Sequence, residues 1–193
     1  MRAVVLVEPE IPENTGFIAR LCANFNYELR LVNPDFNLEE ARKTASKAQD
    51  ILRNAKIYDE VEASIQDLEF TVGTKPGRGE SVNEFTPRED TSIMIGRESS
   101  GLTNRELKAC DAVVHIETEG YSSLNQSHAA SILMHNFSTR SKERASASKE
   151  FQVLDEFIQI PLLKDLLKQA NPSEDELNSL IGQMKREGYF DEA

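Results

Sequence analysis

Short apolar runs, each followed by turn residues, alternate with helical patterns over most of the chain. The runs are rich in Val and Ile and stay apolar throughout instead of alternating with polar residues, which is typical of a sheet covered on both faces. Strands that alternate with helices indicate a mainly parallel sheet. We therefore predict an α/β domain with helices on both faces of the sheet. The predicted strands are Ala3–Val7, Leu29–Val32, Glu69–Val72, Ser92–Ile95 and Ala112–Ile116.

The helical patterns between and after these runs define the rest of the predicted architecture. Residues 1–145 form the predicted main domain, and the polar stretch "SKERASASKE" leads into a small helical C-terminal extension, residues 146–193. In the extension, Ser173 and Glu176 have the spacing of a capping box. The predicted helices are Phe17–Phe25, Leu38–Ala55, Gly101–Cys110, Ser123 to about Arg140, Phe151–Ala170 and Ser173–Gly188.

Charge and composition restrict the classes of function. A net charge of -11 excludes a uniformly basic surface, so any site for an anion must be a local patch. No apolar run is long enough to cross a membrane, the N-terminus does not resemble a signal peptide, and Cys22 and Cys110 fit reduced thiols in a cytoplasmic protein. The three histidines lack the spacing of metal ligands, so no metal is expected.

Three predicted strand-to-helix connections carry polar residues and glycine: "EPEIPENTGFIARL", "IMIGRESSGL" and "IETEGYSSLNQSHA". Singly, each is explained by turn glycines and a capping residue. In an open α/β sheet, however, ligands bind outside the carboxyl ends of the strands, so the three loops are expected to meet at one crevice. The side chains they would offer to an anionic ligand are those of Asn14, Arg20, Glu98, Ser123 and Asn125.

Arg20 raises a specific question about that ligand. With Asn14 as the expected N-cap, Arg20 falls in the second turn of a helix, near the positive end of the helix dipole. A phosphate beside the helix N-terminus would explain a guanidinium at this position. An ordinary exposed arginine is the alternative.

Common catalytic motifs are absent from the sequence. There is no Gly-x-Gly-x-x-Gly, no Walker loop and no His-Glu-x-x-His, and the serines lack a nucleophile elbow. The glycine-rich stretch "TVGTKPGRGES" matches no nucleotide-binding fingerprint. The residues alone therefore predict an α/β domain with one anion-binding crevice.

The three loops, in this order and spacing, resemble the three signature motifs of the SpoU branch of the SPOUT RNA methyltransferases. The likeness covers about residues 1–140 and is greatest to the TrmJ-type tRNA 2'-O-methyltransferases, especially in "GRESSGLTNRELKACD". It implies a C-terminal trefoil knot, a homodimer and S-adenosylmethionine as the cofactor. It also implies an RNA substrate, most readily nucleotide 32 of a tRNA anticodon loop.

The resemblance assigns roles by position. The cofactor-binding residues would be Thr74, Lys75, Pro76, Gly96, Ile116, Ser122, Ser123 and Leu124, and glycine at position 96 would let the backbone approach the cofactor. The catalytic residues would be Asn14, Arg20, Glu98 and Asn125. Arg20 is expected to clamp an RNA phosphate and stabilise the developing 2'-alkoxide, because a guanidinium stays protonated in proteins. The dimer interface would include Phe17, Ile18 and Phe137.

Other functions remain open from the sequence. Within the same enzyme class, the target could be the tRNA wobble nucleotide or a position in rRNA. From other classes, the chain could be a non-catalytic knotted RNA-binding protein or a plain doubly wound nucleotide-binding domain. Against the nucleotide-binding domain, this sequence contains no phosphate-binding fingerprint.

Overall fold

The computed structural model describes residues 2–140 and 172–186. The chain divides into two compact units, Met1–Ser138 and Thr139–Ala193. The domain boundary predicted at 145/146 and the helix predicted at Phe151–Ala170 both lie outside the described residues, so both stay predictions.

Seven strands form one sheet in the order β3-β2-β1-β6-β4-β7-β5, and every pair of neighbours is parallel. This confirms the predicted α/β class and the parallel sheet. The strands are β1 Ala3–Val7, β2 Glu28–Val32, β3 Lys56–Tyr58, β4 Phe70–Thr74, β5 Glu80–Ser81, β6 Thr91–Ile95 and β7 Ala112–His115.

The sequence analysis missed β3 and β5, which form the two edges of the sheet. They contain only three and two residues, and both begin with an exposed charged side chain, Lys56 and Glu80. An edge strand has a partner on one side only, so it does not need the continuous apolar run that marks a central strand. Neither strand therefore leaves a hydrophobic signal.

The helices agree with the prediction in position more than in length. The predicted helix Leu38–Ala55 is interrupted by a 3-10 turn at Ser46–Ala48, where Ser46 has a φ of 52°. The helix predicted at Gly101–Cys110 is shorter because Gly101 has a φ of 67° and lies outside it. The helices are α1 Pro12–Phe25, α2 Leu38–Ala45, α3 Gln49–Arg53, α4 Val61–Ile65, α5 Asn104–Lys108, α6 over 126–140 and α7 Glu174–Arg186.

Helices cover both faces of the sheet, as predicted. Val4 and Leu6 of β1 pack in one hydrophobic cluster with residues of α1, α2, α3 and α6, whereas Val5 and Val7 pack in a second cluster with Leu107 of α5. Successive side chains of a strand point to opposite faces, so the unbroken apolar run of β1 supplies both cores. All five of its residues are buried.

The first two helices pack with very little space between them. A Cβ atom on Gly16 of α1 would lie 2.0 Å from Thr44 Oγ1 and 2.3 Å from the Ala41 carbonyl oxygen of α2. Glycine at this mid-helix position therefore serves helix packing, which fixes α1 against the sheet.

Two residues expected at a dimer interface lie elsewhere. Ile18 and Phe137 are 0% and 1% exposed and belong to the core of the sheet domain. They cannot reach a partner chain, so this part of the prediction is wrong. Phe17, at 42% exposed, is still available.

The described part of the second unit contains α7. Ser173 Oγ accepts a hydrogen bond from the Glu176 amide at 3.4 Å, and Glu176 Oε2 accepts one from the Ser173 amide at 2.8 Å. This confirms the predicted capping box. Within residues 2–140 and 172–186, no helix is long and apolar enough to cross a membrane.

Candidate active site

Three loops that follow neighbouring strands enclose one cavity of about 290 Å³. Strands β6, β4 and β7 lie side by side in the sheet, so the segments after their carboxyl ends meet. All eight residues assigned to cofactor binding line this cavity. Further lining residues that the sequence analysis did not single out are Ile95, Arg97, Ser99, Ser100, Gly101, Gln126 and Ala129.

Glycine is required at position 96 because of the protein's own backbone, whereas the expected reason was close approach of the backbone to the cofactor. A Cβ atom at this position would lie 2.2 Å from the Gly101 carbonyl carbon and 2.3 Å from the Leu102 nitrogen. The chain after β6 therefore folds back on its own backbone, and glycine permits that turn. The clash exists without any bound ligand, so close approach of a cofactor is not required to explain the residue.

The N-terminus of α1 is held by a carboxylate from another loop. Glu98 accepts hydrogen bonds from the backbone amides of Glu10 at 2.9 Å and Ile11 at 3.3 Å, and from Asn14 Nδ2 at 2.9 Å. Because helix α1 starts at Pro12 with Ile11 as the N-cap, the prediction that Asn14 is the N-cap is wrong. The carboxylate of Glu98 therefore already places an anionic group beside this helix N-terminus, where a phosphate was expected.

Asn14 connects two of the loops. Its side chain is 4% exposed, it donates to Glu98 Oε1, and its Oδ1 accepts a hydrogen bond from Asn125 Nδ2 at 3.0 Å. Asn125 Oδ1 in turn accepts from the Ser127 amide at 2.9 Å and thereby caps α6. Three of the four predicted catalytic residues thus form one hydrogen-bonded chain, Glu98–Asn14–Asn125.

Arg20 lies apart from that chain. Since α1 begins eight residues before it, Arg20 is in the third turn, and the predicted position in the second turn is wrong. Its side chain is exposed and does not line the cavity. Within residues 2–140 and 172–186 it has no hydrogen bond or ion pair, so its guanidinium is available to a ligand.

Arg97 is a site residue that the sequence analysis missed. It pairs with Glu8 at 2.7 Å and with both oxygens of Glu106 at 3.0 and 3.1 Å, and these bonds raise the pKa of Arg97. Burial would raise the pKa of Glu106, but hydrogen bonds from Arg97 and Thr103 lower it overall. The sequence did contain a signal for the position of Glu106, the partner of Arg97. Thr103 and Glu106 have the spacing of a capping box, and this capping box forms at the start of α5.

A second carboxylate makes a reciprocal contact between the same two loops. Glu10 accepts hydrogen bonds from the Ser99 hydroxyl at 2.7 Å and the Ser99 amide at 2.9 Å, and these bonds lower the pKa of Glu10. Glu98 binds the backbone of the first loop and Glu10 binds the backbone of the second. The cavity wall at Ser99 is thereby fixed to the start of α1.

The cavity has the chemistry that S-adenosylmethionine requires. Ile95, Ile116, Leu124 and Ala129 provide an apolar surface for a purine, and serine hydroxyls at positions 99, 100, 122 and 123 provide hydrogen-bonding groups. The buried Gln126 Oε1 has no hydrogen-bond partner within the part of the chain that the structure describes. The residues present therefore fit the cofactor.

The comparisons with known proteins agree with this geometry. Residues 1–135 match the model of the SpoU rRNA Methylase family. The chain belongs to this family. It is accordingly an RNA methyltransferase, and the predicted enzyme class is confirmed.

Individual relatives show how far the similarity extends. A tRNA (cytidine-2'-O-)-methyltransferase TrmJ from Methanocaldococcus jannaschii is 36% identical over 157 residues, which cover 72% of this chain and 68% of the relative. A solved structure titled for 2-OH methylation of C/U34 on tRNA superposes with a TM-score of 0.67 at 25% identity, covering 74% of this chain and 96% of the other.

A third similarity is to the SpoU methyltransferase AviRb from Streptomyces viridochromogenes, solved in complex with AdoMet. The TM-score is 0.63 at 23% identity, and the match covers 71% of this chain and 56% of that one. This likeness supports the fold.

Proposed function

We propose that this chain transfers a methyl group from S-adenosylmethionine to the ribose 2'-hydroxyl of tRNA, at nucleotide 32 of the anticodon loop. The observation that carries the proposal is the convergence of the loops after β4, β6 and β7 on one cavity, with the Glu98–Asn14–Asn125 chain joining two of these loops to α1. The M. jannaschii relative, named as a tRNA (cytidine-2'-O-)-methyltransferase, supports the tRNA substrate.

The cofactor would be held by the residues that line the cavity, including Thr74, Gly96, Ile116 and Leu124. When bound, S-adenosylmethionine supplies an electrophilic methyl group on a sulfonium. The protein has to hold that methyl group in line with the attacking oxygen, and such alignment contributes much of the rate of a two-substrate reaction. The two reciprocal carboxylate contacts, Glu98 with the Glu10 amide and the Glu10 carboxylate with Ser99, hold the cavity wall in place for this task.

Arg20 would act on the RNA side of the reaction. Its guanidinium is exposed and has no partner among the described residues, and it keeps its proton in proteins, so it fits an electrostatic clamp better than a base. Held against the phosphate next to the target ribose, it would stabilise negative charge that develops on the 2'-oxygen. Asn14 of α1 and Asn125 at the start of α6, which are hydrogen-bonded to each other, would position the loops that present the two substrates.

A second candidate target is the wobble nucleotide, position 34. The similarity to the structure titled for methylation of C/U34, with a TM-score of 0.67, favours it as the alternative. The hydrogen bonds described for the site join protein groups to one another, so a measurement on RNA decides between the two nucleotides.

We also infer a trefoil knot in the C-terminal part of the sheet domain, a homodimer and a cytoplasmic location. The knot is supported by the meeting of the loops after β4, β6 and β7 at one cavity, which is where the resemblance places it. The dimer is supported by exposed apolar side chains on or next to α1 and α6, namely Ile11, Phe17 and Ile132. Light scattering at micromolar concentration that showed a folded monomer would contradict the dimer.

The direct test uses purified protein, S-adenosylmethionine and tRNA transcripts, followed by mass-spectrometric mapping of 2'-O-methyl groups. Methylation at nucleotide 32 is expected, and methylation only at 34 would establish the alternative. Transcripts with deoxyribose at the target nucleotide provide the control, because they lack the acceptor oxygen. Calorimetry on the same protein shows whether the cofactor binds. Cofactor binding without methylation of any RNA would favour a non-catalytic RNA-binding protein.

A further inference from the structure

One side chain in the cavity wall has an unused hydrogen-bonding atom. Gln126, at the start of α6, is 4% exposed and lines the cavity. Its Nε2 donates a hydrogen bond to the Gly96 carbonyl oxygen at 2.9 Å, and its Oε1 has no partner within the described residues. Buried amide oxygens are nearly always hydrogen-bonded, so this atom requires an explanation.

Reversal of the amide does not provide one. The Gly96 carbonyl can only accept a hydrogen bond, so the nitrogen of Gln126 has to face it and the oxygen has to point away. The oxygen also has almost no solvent-accessible surface, so bulk water does not reach it while the cavity wall keeps this conformation. A donor that enters the adjoining cavity with a ligand, and that shifts the wall as it binds, can supply the missing hydrogen bond.

The surroundings indicate which donor this is. The cavity wall near Gln126 contains Ile95, Ile116, Leu124 and Ala129, a surface that suits a flat aromatic base. A charged ammonium group would lose its hydration on this apolar surface, which is costly, and the one carboxylate among the described residues that line the cavity, that of Glu98, already accepts three hydrogen bonds. An aromatic amine is neutral, and its N–H groups can donate to an amide oxygen.

We propose that Gln126 Oε1 accepts a hydrogen bond from the 6-amino group of the cofactor's adenine. Gln126 is then a cofactor-binding residue that reads the base directly, while its other end holds the Gly96 backbone in place. This assignment rests on the proposed use of S-adenosylmethionine, and it adds a side-chain contact to the predicted set of cofactor residues.

The cavity wall has to shift slightly for the base to reach the sealed oxygen. The adjacent segment, residues 117–124, makes no backbone–backbone hydrogen bond to any described part of the chain. A segment without backbone–backbone hydrogen bonds changes its conformation at a low cost in free energy. The cavity wall can therefore move as the adenine enters.

Calorimetry with two ligands and two proteins tests the assignment. The ligands are S-adenosylhomocysteine and S-inosylhomocysteine, in which a 6-oxo group replaces the 6-amino group. The proteins are the wild type and Gln126→Leu. We expect the variant to bind S-adenosylhomocysteine about tenfold more weakly and S-inosylhomocysteine about as well as the wild type does, so the preference for adenine falls about tenfold.

Each other outcome has a distinct meaning. Equal weakening of both ligands would show that Gln126 only anchors the Gly96 loop, and unchanged affinity for both would show that the oxygen has no role in binding. Either result overturns the assignment. Failure of the wild type to bind S-adenosylhomocysteine at all would instead overturn the proposed function. Thermal melting checks the fold of the variant, and Gln126→Met, which keeps an unbranched side chain, replaces it if the leucine variant does not fold.

Discussion

Asn125 Nδ2 donates a hydrogen bond to Asn14 Oδ1 over 3.0 Å, although the two residues are 111 positions apart in the chain. Asn14 also donates to Glu98, so one buried amide group of α1 connects the loop before α6 with the loop after β6. An amide suits this position because it both donates and accepts. A carboxylate or an apolar side chain cannot do both at neutral pH.

Asn14→Asp should therefore lower the free energy of unfolding by about 1–3 kcal/mol at pH 7. The new carboxylate would face the Glu98 carboxylate, and this repulsion raises the pKa of the introduced carboxyl group in the folded state. The folded state then binds a proton more tightly than the unfolded state, so the loss should diminish as the pH falls towards about 5. Urea unfolding at several pH values measures this. Asn24→Asp, at an exposed position of the same helix, is the matched control and should show little pH dependence.

Arg20→Ala should reduce tRNA methylation by roughly a hundredfold to a thousandfold, because a group that stabilises developing charge is lost. Affinity for S-adenosylmethionine should stay near that of the wild type, since Arg20 does not line the cavity. Arg20→Lys should rescue little, because an ammonium lacks the planar fork of a guanidinium. Single-turnover rates and calorimetry separate the two effects. The exposed Arg53→Ala serves as the control, and near-normal turnover by Arg20→Ala would refute the clamp.

Glu98→Ala should destabilise the protein by about 1–2 kcal/mol, comparable to the loss of a strong helix cap. The α1 N-terminus would lose the acceptor for the amides of Glu10 and Ile11. Glu84→Ala, which removes an exposed carboxylate elsewhere, should change stability by no more than about 0.5 kcal/mol. Equal stability of the two variants in urea unfolding would show that the carboxylate does not hold the helix.

Gly96→Ala should cost about 1–3 kcal/mol of stability and weaken cofactor binding at least about tenfold. The added methyl group would clash with the backbone of Gly101 and Leu102 and push the cavity wall outwards. Gly120→Ala is a matched control in another loop, because a Cβ atom there meets nothing within 4 Å. Calorimetry and thermal melting of both variants test the difference. Normal cofactor affinity of Gly96→Ala would mean that the turn tolerates the side chain.

The sequence by itself determined the α/β class, the five central strands and two of the three loops that line the cavity, those after β6 and β7. These features have local signals: continuous Val- and Ile-rich runs for strands buried on both faces, and polar residues with glycine at their carboxyl ends. The first predicted loop contributes no lining residue and is joined to the loop after β6 by hydrogen bonds. The match of these loops to three family motifs also indicated the residues that line the cavity. Edge strands β3 and β5 gave no such signal, because they bury too little apolar surface.

Only the tertiary structure decided what the polar residues do. Asn14 had the local signature of a helix cap, yet the N-cap is Ile11, and Asn14 instead donates a hydrogen bond to Glu98, a residue 84 positions away. The unused oxygen of Gln126 and the reciprocal bonds of Glu10 and Ser99 likewise depend on groups distant in sequence. Hydrophobic burial is set largely by periodicity, which a sequence displays directly. Hydrogen bonds require donor and acceptor to meet within about 3 Å, so their partners are fixed only when the chain has folded.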